Sequence, residues 1–511
     1  MRSNQSRNTL VRVSSFVGLI LLPALTCAGD SIDIGSRREL FIDQYMIQSL
    51  RGVTRKLHHP VPHDIAIVND APWEGCVSGY HSIVRDRDLY RMYYRGAAIS
   101  VAGGILKKGT QVSCFAQSQD GIHWEKPILG LREYDGSKQN NIIWTGVGTH
   151  NFSPFLDSHP NCPSESRFKA MAGILPRGLF VFHSPDGIRW SFMNNAPVIT
   201  DGAFDSQNVA FWDSNAGKYR VYYRILTEDT ATETDGKPLR IRAIRTASSS
   251  DLLTWSDEAD LTYEDSPVEQ LYTNQIAPYP RAPHVLIGFP MRYVERSWSP
   301  SLRDLPDTKH REQRSAVHMR LGTAITETLL MASRDGVHFD RWNEAFLPPG
   351  PERTGTWNYG NNSVAWQVVE TKSALPDAPN ELAFYAAEGG WMGDSNAVRR
   401  YTMRLDGFVS IHAGWKGGEM MTRPLQFSGN QLSINFATSA AGSIRVEIQN
   451  ADGGAIDGFG LNDCSDIFGD TVDRTVYWSD SSDVSELAGR SVVLRFVMKD
   501  ADLYSFRFGS E

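Results

Sequence analysis

Apolar and polar residues alternate in short runs along most of this chain, and the three-and-four spacing of an amphipathic helix is scarce. Period-two alternation over four to eight residues predicts half-buried strands. They fall in groups of three: 79–84, 90–94 and 112–117; 151–156, 168–172 and 179–183; 207–212, 219–224 and 242–247; 275–279, 284–289 and 328–332; 364–369, 382–386 and 398–405. Four groups end on nearly one phrase: Ser118-Gln-Asp120-Gly-Ile-His-Trp124, Ser184-Pro-Asp186-Gly-Ile-Arg-Trp190, Ser250-Asp251-Leu-Leu-Thr-Trp255 and Ser333-Arg-Asp335-Gly-Val-His-Phe339. The closing rings stand 66, 65 and 84 residues apart. A strand unit repeating at that period predicts a radial β-array. In each phrase Ser and Asp can accept backbone N–H bonds, Gly supplies a positive φ, and the ring packs between sheets. The phrases are read as staples, which places the functional site elsewhere. The long last interval is assigned to a charged insertion at 292–320, expected as a surface excursion.

The predicted fold is all-β, a five-bladed propeller followed by a C-terminal β-sandwich. Residues 75–410 form the propeller, and residues 29–74 are a lead-in, with a strand at 40–47, packed on its outside. Beyond Asp406-Gly407 the alternation shortens and Gly-rich turns multiply. Strands at 431–437, 443–449, 475–478, 492–498 and 504–508 place the sandwich at 411–511. At 511 residues the chain exceeds one ordinary core.

Composition narrows the partners. Arg2, Arg7 and Arg12 precede an apolar run at 17–25 with small residues at Thr26, Ala28 and Gly29. That run is short for a bilayer span, so residues 1–28 are read as an export signal cleaved after about Ala28. Lipid anchoring at Cys27 is the lesser alternative, since Ala24-Leu25-Thr26 is a poor lead-in. Loss of residues 1–28 removes three Arg and no acids, moving the net charge from −8 to −11. Such a chain has no electrostatic footprint for nucleic acid, and nothing later reads as a membrane span. Cys76, Cys114, Cys162 and Cys464 lack metal-site spacing, and no metal or cofactor is expected. A bridge from Cys76 to Cys114 stays open.

A propeller concentrates chemistry on one face. If the Asp-Gly turns follow third strands, residues before first strands and after second strands share the opposite face. This selects Trp73 and Glu74; His150 and Asn151; Asp205, Gln207 and Asn208; Glu269 and Asn274; and Asn361. After second strands come Arg95, Arg224, Arg292 and Glu388, with Trp391 shortly beyond. Amides and guanidinium groups hydrogen-bond hydroxyl and carboxylate oxygens, and Trp73, Tyr272, Trp357 and Trp391 offer rings for sugar faces. Two carboxyl groups across a mouth supply the acid and the base or nucleophile of glycosidic cleavage, so Glu74, Asp205 and Glu269 are the catalytic candidates. Arg95, Arg224 and Arg292 either meet an acidic sugar or form structural bridges to nearby Glu residues.

The segment Asn69-Asp70-Ala-Pro72-Trp73-Glu74 resembles the Asn-Asp-Pro-type first-blade segment of the five-bladed propeller glycoside hydrolase families 32 and 43. Arg38-Glu39-Leu40-Phe41, Gly148-Thr-His-Asn151, Phe204-Asp-Ser-Gln-Asn208, Gln270-Leu-Tyr-Thr-Asn-Gln275 and Tyr504-Ser-Phe-Arg-Phe508 extend the likeness to exported, planctomycete-type bacterial family-32-like proteins. The resemblance implies a glycoside hydrolase, with Glu74 and Asp205 at first- and third-blade acid positions. His150 and Asn151 stand where the second-blade Asp is expected, and no Glu-Cys pair marks the acid. A non-catalytic carbohydrate-binding or scaffold propeller is therefore the alternative, ahead of a protein-contact propeller.

Overall fold

The computed structural model describes residues 31–102, 104–232 and 238–510. The expected export signal lies outside them. The described chain is a five-bladed β-propeller joined to a β-sandwich. Blade one runs outward as Gly79–Asp86, Leu89–Gly96, Val112–Ser118 and Ile142–Trp144. Blades two and three repeat this antiparallel order, beginning at Ser153–Leu156 and Val209–Asp213. Blade four begins at Ala277–Tyr279 and gains a parallel outer strand, Thr262–Glu264, on His338–Arg341. In blade five the order is Val369–Thr371, Glu381–Glu388, Asn396–Arg404 and then Val61–Asn69. The last strand closes the ring with chain from the beginning of the described sequence.

The lead-in is thus divided between the two domains. Ile32–Gly35, Arg38–Leu40, Ile47–Arg51 and Val53–Leu57 all join the ten-stranded sandwich sheet, and Val61–Asn69 continues into blade five. Leu40 and Ile42 pack toward the propeller while Ile34, Phe41 and Met46 enter the sandwich core. Along the consecutive residues Leu40, Phe41 and Ile42 the side chains therefore alternate between the two cores. The sandwich is organised by two long strands, Gln431–Asn450 and Val492–Gly509, whose register shifts allow the sheet to bend round that core.

The repeated phrase builds the same turn four times. Ser118 Oγ accepts from Gly121 N at 2.9 Å, and Asp120 Oδ1 accepts from Ile122 N at 2.7 Å and His123 N at 2.9 Å. The Ser184, Ser249 and Ser333 turns repeat this set. The third copy therefore begins at Ser249 rather than Ser250, with Leu252 at the Gly position and φ of 68°. Trp190 and Phe339 are buried, Trp124 and Trp255 half-buried.

The insertion departs from the expected surface excursion. After Met291–Val294 the chain forms α1 (Pro300–Asp304), α2 (Thr308–Ser315) and α3 (Met319–Thr323), then returns through Ile325–Thr328. Leu302, Leu305, Leu321 and Ile325 are buried, and so are Arg311 and Arg314. High charge in the sequence hid an apolar underside. Cys76, Cys114, Cys162 and Cys464 are all free thiols.

Candidate functional site

A cavity of about 260 Å³ opens on the face away from the Asp-Gly turns. Its wall comes from the starts of first strands (Tyr80, His150, Asp205, Tyr272, Tyr359), the ends of second strands (Arg95, Ala387) and the helical insertion (Arg320, Leu321). Five of the expected residues line it: Arg95, His150, Asp205, Tyr272 and Trp391.

Asp205 is its centre. His150 Nε2 lies 2.7 Å from Asp205 Oδ1, and His150 Nδ1 lies 3.1 Å from Gln111 Oε1. Arg95 Nη1 reaches the same ring at 3.3 Å, and its Nη2 donates to Val77 O at 2.7 Å. The Arg95 guanidinium rests 4.7 Å from the centre of the Tyr80 ring, which meets His150 edge-on at 5.6 Å. Burial lowers the His150 pKa; the hydrogen bond to Asp205 opposes this, and the Arg95 and Lys108 charges add to it. The net lowering favours the neutral ring, in which Nε2–H would donate to Asp205 and Nδ1 would accept from Arg95. For Asp205 burial acts upward, yet His150, Arg224 and Arg95 together hold the carboxyl well below the usual range. More than half of its side chain (56%) is exposed. Oδ2 makes no hydrogen bond among the described residues, so it is free to meet a ligand.

Aromatic rings surround this pair. Tyr359 lies 6.1 Å from Tyr272 and 5.6 Å from Trp391. Burial raises the pKa of Tyr80 and Tyr359, so both phenols keep their protons. Arg224 sits 4.8 Å over Tyr272, its Nε on Ala203 O at 2.9 Å, and Arg320 lies 5.9 Å over Tyr359. Among the described residues neither of these arginines, nor Arg95, forms a carboxylate ion pair.

The other two catalytic candidates lie elsewhere, which corrects the expectation of one three-carboxylate pocket. Glu74 is buried behind blade one, where Tyr94 O–H donates to Oε1 at 2.5 Å and Lys126 Nζ to Oε2 at 2.6 Å. Glu269 is held by Arg292 at 2.8 Å and Arg341 at 3.0 Å. Arg292 also binds Glu327 at 2.6 Å, so this arginine is a structural bridge. Glu388 is likewise enclosed by Arg353 and Arg399. Trp73 donates to Asn141 Oδ1 at 2.7 Å beside Tyr134.

The expected amides serve the backbone. Asn151 Nδ2 donates to Gly173 O, Phe204 O and Ser206 O, and Asn208 Nδ2 to the last two. Asn274 Nδ2 reaches Gln207 O and Tyr222 O, while Asn361 ties Gly355 O to Gly390 N. Gln207 donates to Ser82 Oγ at 2.9 Å and accepts from Gln275 at 2.7 Å, joining three blades across the channel. Tyr80, Lys108, Gln111 and Arg320 were missed by sequence reasoning. Tyr80 obeys the first-strand rule; the others sit on strand ends and an insertion that no repeat marks.

The fold and site define a propeller–sandwich protein with a polar, cation-lined pocket. Among the described residues there is no cluster of His, Cys, Asp and Glu suited to a metal, and no helix long and apolar enough to cross a membrane. No family model and no curated protein matches the chain. Solved structures similar to it include an N-acetylgalactosamine deacetylase from F. plautii, 13% identical, covering 69% of this chain and 95% of that one, TM-score 0.39. An endo-arabinase from Bacteroides thetaiotaomicron is 10% identical over 67% of this chain and 98% of its own, TM-score 0.37. A family-32 β-fructofuranosidase of Bombyx mori is 11% identical over 89% and 95%, TM-score 0.36. At these scores the likenesses carry no argument about function.

Proposed function

We propose that the protein is a carbohydrate-active enzyme whose cavity takes an acidic sugar unit and cleaves an O-glycosyl bond, with Asp205 as the reacting carboxylate. The carrying observation is the make-up of the cavity wall. Arg95, Lys108 and Arg320 face a space whose one acidic group among the described residues is Asp205. The rings of Tyr80, Tyr272, Tyr359 and Trp391 stand beside it. Flat rings suit the C–H faces of a sugar, and guanidinium groups suit carboxylate or sulfate oxygens bidentately. In a chain of net charge −8, a cationic pocket selects the ligand against the background. Asp205, ionised and with Oδ2 free, would oppose the positive charge developing at the anomeric carbon while water adds its hydroxyl there and its other proton goes to the departing alcohol oxygen. His150 is a positioning residue, because Nε2 is engaged by Asp205 and Nδ1 is within reach of the Arg95 Nη1–H. Export through residues 1–28 belongs to the same proposal.

A second reading, a carbohydrate-binding propeller without turnover, is favoured by one observation: Glu74 and Glu269 lie away from the cavity. Matched uronate- or sulfate-bearing and neutral oligosaccharides separate the two. Turnover of the acidic member, lowered about 100-fold or more in Asp205→Asn, supports the enzyme. Tight binding of acidic sugars with no turnover supports the binder. Equal binding of acidic and neutral members would exclude the acidic-sugar assignment in either form. Arg224, buried over Tyr272, does not line the cavity, so the test falls on a cation that does: Arg320→Met should weaken the acidic ligand far more than the neutral one.

A further inference from the structure

Helix α2 turns two arginines inward. Arg311 and Arg314 are three residues apart, hence on one helix face, and are 0% and 1% exposed. Arg311 donates from Nε to Pro306 O at 2.9 Å and from Nη2 to Thr356 O at 3.2 Å. Arg314 Nη2 donates to Asn358 Oδ1 at 2.9 Å. All three acceptors are neutral. Arg311 Nη1, Arg314 Nε and Nη1, and the Asn358 amide nitrogen are buried with no acceptor among the described residues. The Asp307 carboxylate is felt by both arginines but pairs with neither, and its Oδ2 accepts from Gly355 N at 2.8 Å.

Unanswered N–H groups are unfavourable in an interior, and uncompensated charge is more so. Water would satisfy the donors and leave two positive charges side by side. An anion answers both. The unpartnered atoms are all buried N–H donors, which suits a monatomic ion better than a bulky oxyanion. We propose that a halide ion, chloride in ordinary media, is bound between Arg311 and Arg314 and anchors the insertion to the segment at 356–358. The Arg314 guanidinium is pulled down to about 10 by burial and by Arg311, the direction expected of a cation pair lacking a counter-ion. This site is separate from the sugar cavity and does not depend on the function proposed for it.

The test uses the full chain exchanged into sodium gluconate. Chloride, bromide or sulfate then replaces gluconate at constant ionic strength while thermal unfolding is followed by calorimetry. Chloride and bromide should raise Tm by at least about 2 °C in a saturable way, and sulfate should not. Arg314→Met should remove the halide response. Crystals grown in bromide should show an anomalous peak in contact with Arg311 and Arg314, a readout that holds even if the variant does not fold. A Tm indifferent to halide, a sulfate effect equal to that of chloride, or a bromide-soaked site without an anomalous peak would each overturn the proposal.

Discussion

His81 is buried under the cavity, its ring stacked on Tyr94 at 5.4 Å and its Nε2 without a hydrogen-bond partner. Burial, helped by the Arg95 charge, pushes its pKa down from 6.5 to about 3. Between those values the unfolded chain takes up a proton that the folded ring refuses. Stability from this group is therefore complete above pH 6.5 and falls as pH drops toward 3, by up to about 1.4 kcal/mol per unit. His81→Phe keeps the stack and removes the titration, so its urea midpoint should fall less than that of the parent between pH 7 and pH 4. Parallel falls would assign the acid sensitivity to other groups. At this scale the sequence was read only in part. The rule about strand ends found the correct face and five lining residues, including Asp205. It did not distinguish Arg95 from Arg292, because the acids that capture Arg292 arrive from Glu269 and from Glu327 in the insertion's return strand. Nor did it show that Gln207 would turn inward, since its partners Ser82 and Gln275 belong to blades one and four.

The Asp-Gly turns show at the element scale why a repeat was legible at all. Three of the four turns hydrogen-bond to the second strand of the preceding blade: Tyr385 O–H donates to Gly121 O, Arg91 to Asp186 O at 2.6 Å, and Tyr222 O–H to Gly336 O at 2.9 Å. A Cβ on Gly187, already at φ of 74°, would lie 2.5 Å from the Tyr93 hydroxyl. Blade two carries Met171 where blades one, three and five carry Tyr93, Tyr222 and Tyr385, and the turn that follows it is the one with Leu252 in place of Gly. Met171 and Leu252 share an apolar cluster. The exception in the motif thus follows from its neighbour. Gly187→Ala should be destabilised by more than about 1 kcal/mol, from strain and from the displaced Tyr93. Trp190→Ala should lose about 3–5 kcal/mol, because the ring is buried and its Nε1 donates to Gly187 O at 3.1 Å. Chemical denaturation checks both; an unchanged midpoint would remove the turn from the list of staples. The insertion was illegible at this scale for the opposite reason, having no repeat to be compared with.

At the scale of the whole molecule, Asp406 marks the place where the alternation changes along the sequence, and it is also where the domains are joined. It is 0% exposed, and accepts from Tyr279 O–H at 2.7 Å and Arg281 at 2.8 Å on the propeller side. On the sandwich side it accepts from Ser505 O–H at 2.8 Å and Asn435 at 3.1 Å, with Arg38 at 3.4 Å. Burial raises its carboxyl pKa, but Arg38 and Arg281 outweigh that and hold it below the normal range. Asp406→Ala strands two arginines and should reduce stability by about 3–5 kcal/mol, with the calorimetric transition splitting toward separate domain events. A single, undisplaced transition would contradict this. The sequence showed a boundary here; it could not show that the first strands of the chain cross it, because β pairing partners are not written in a strand's own alternation. That crossing bears on the order of events during synthesis. Asn69 meets Asn396 across 327 residues, so the strand that seals the ring leaves the ribosome long before the blade that receives it. Until then its edge is open and its pairing must be won against a large loop entropy. Ring closure is therefore a late event, which waits until the strand Asn396–Arg404 has been made.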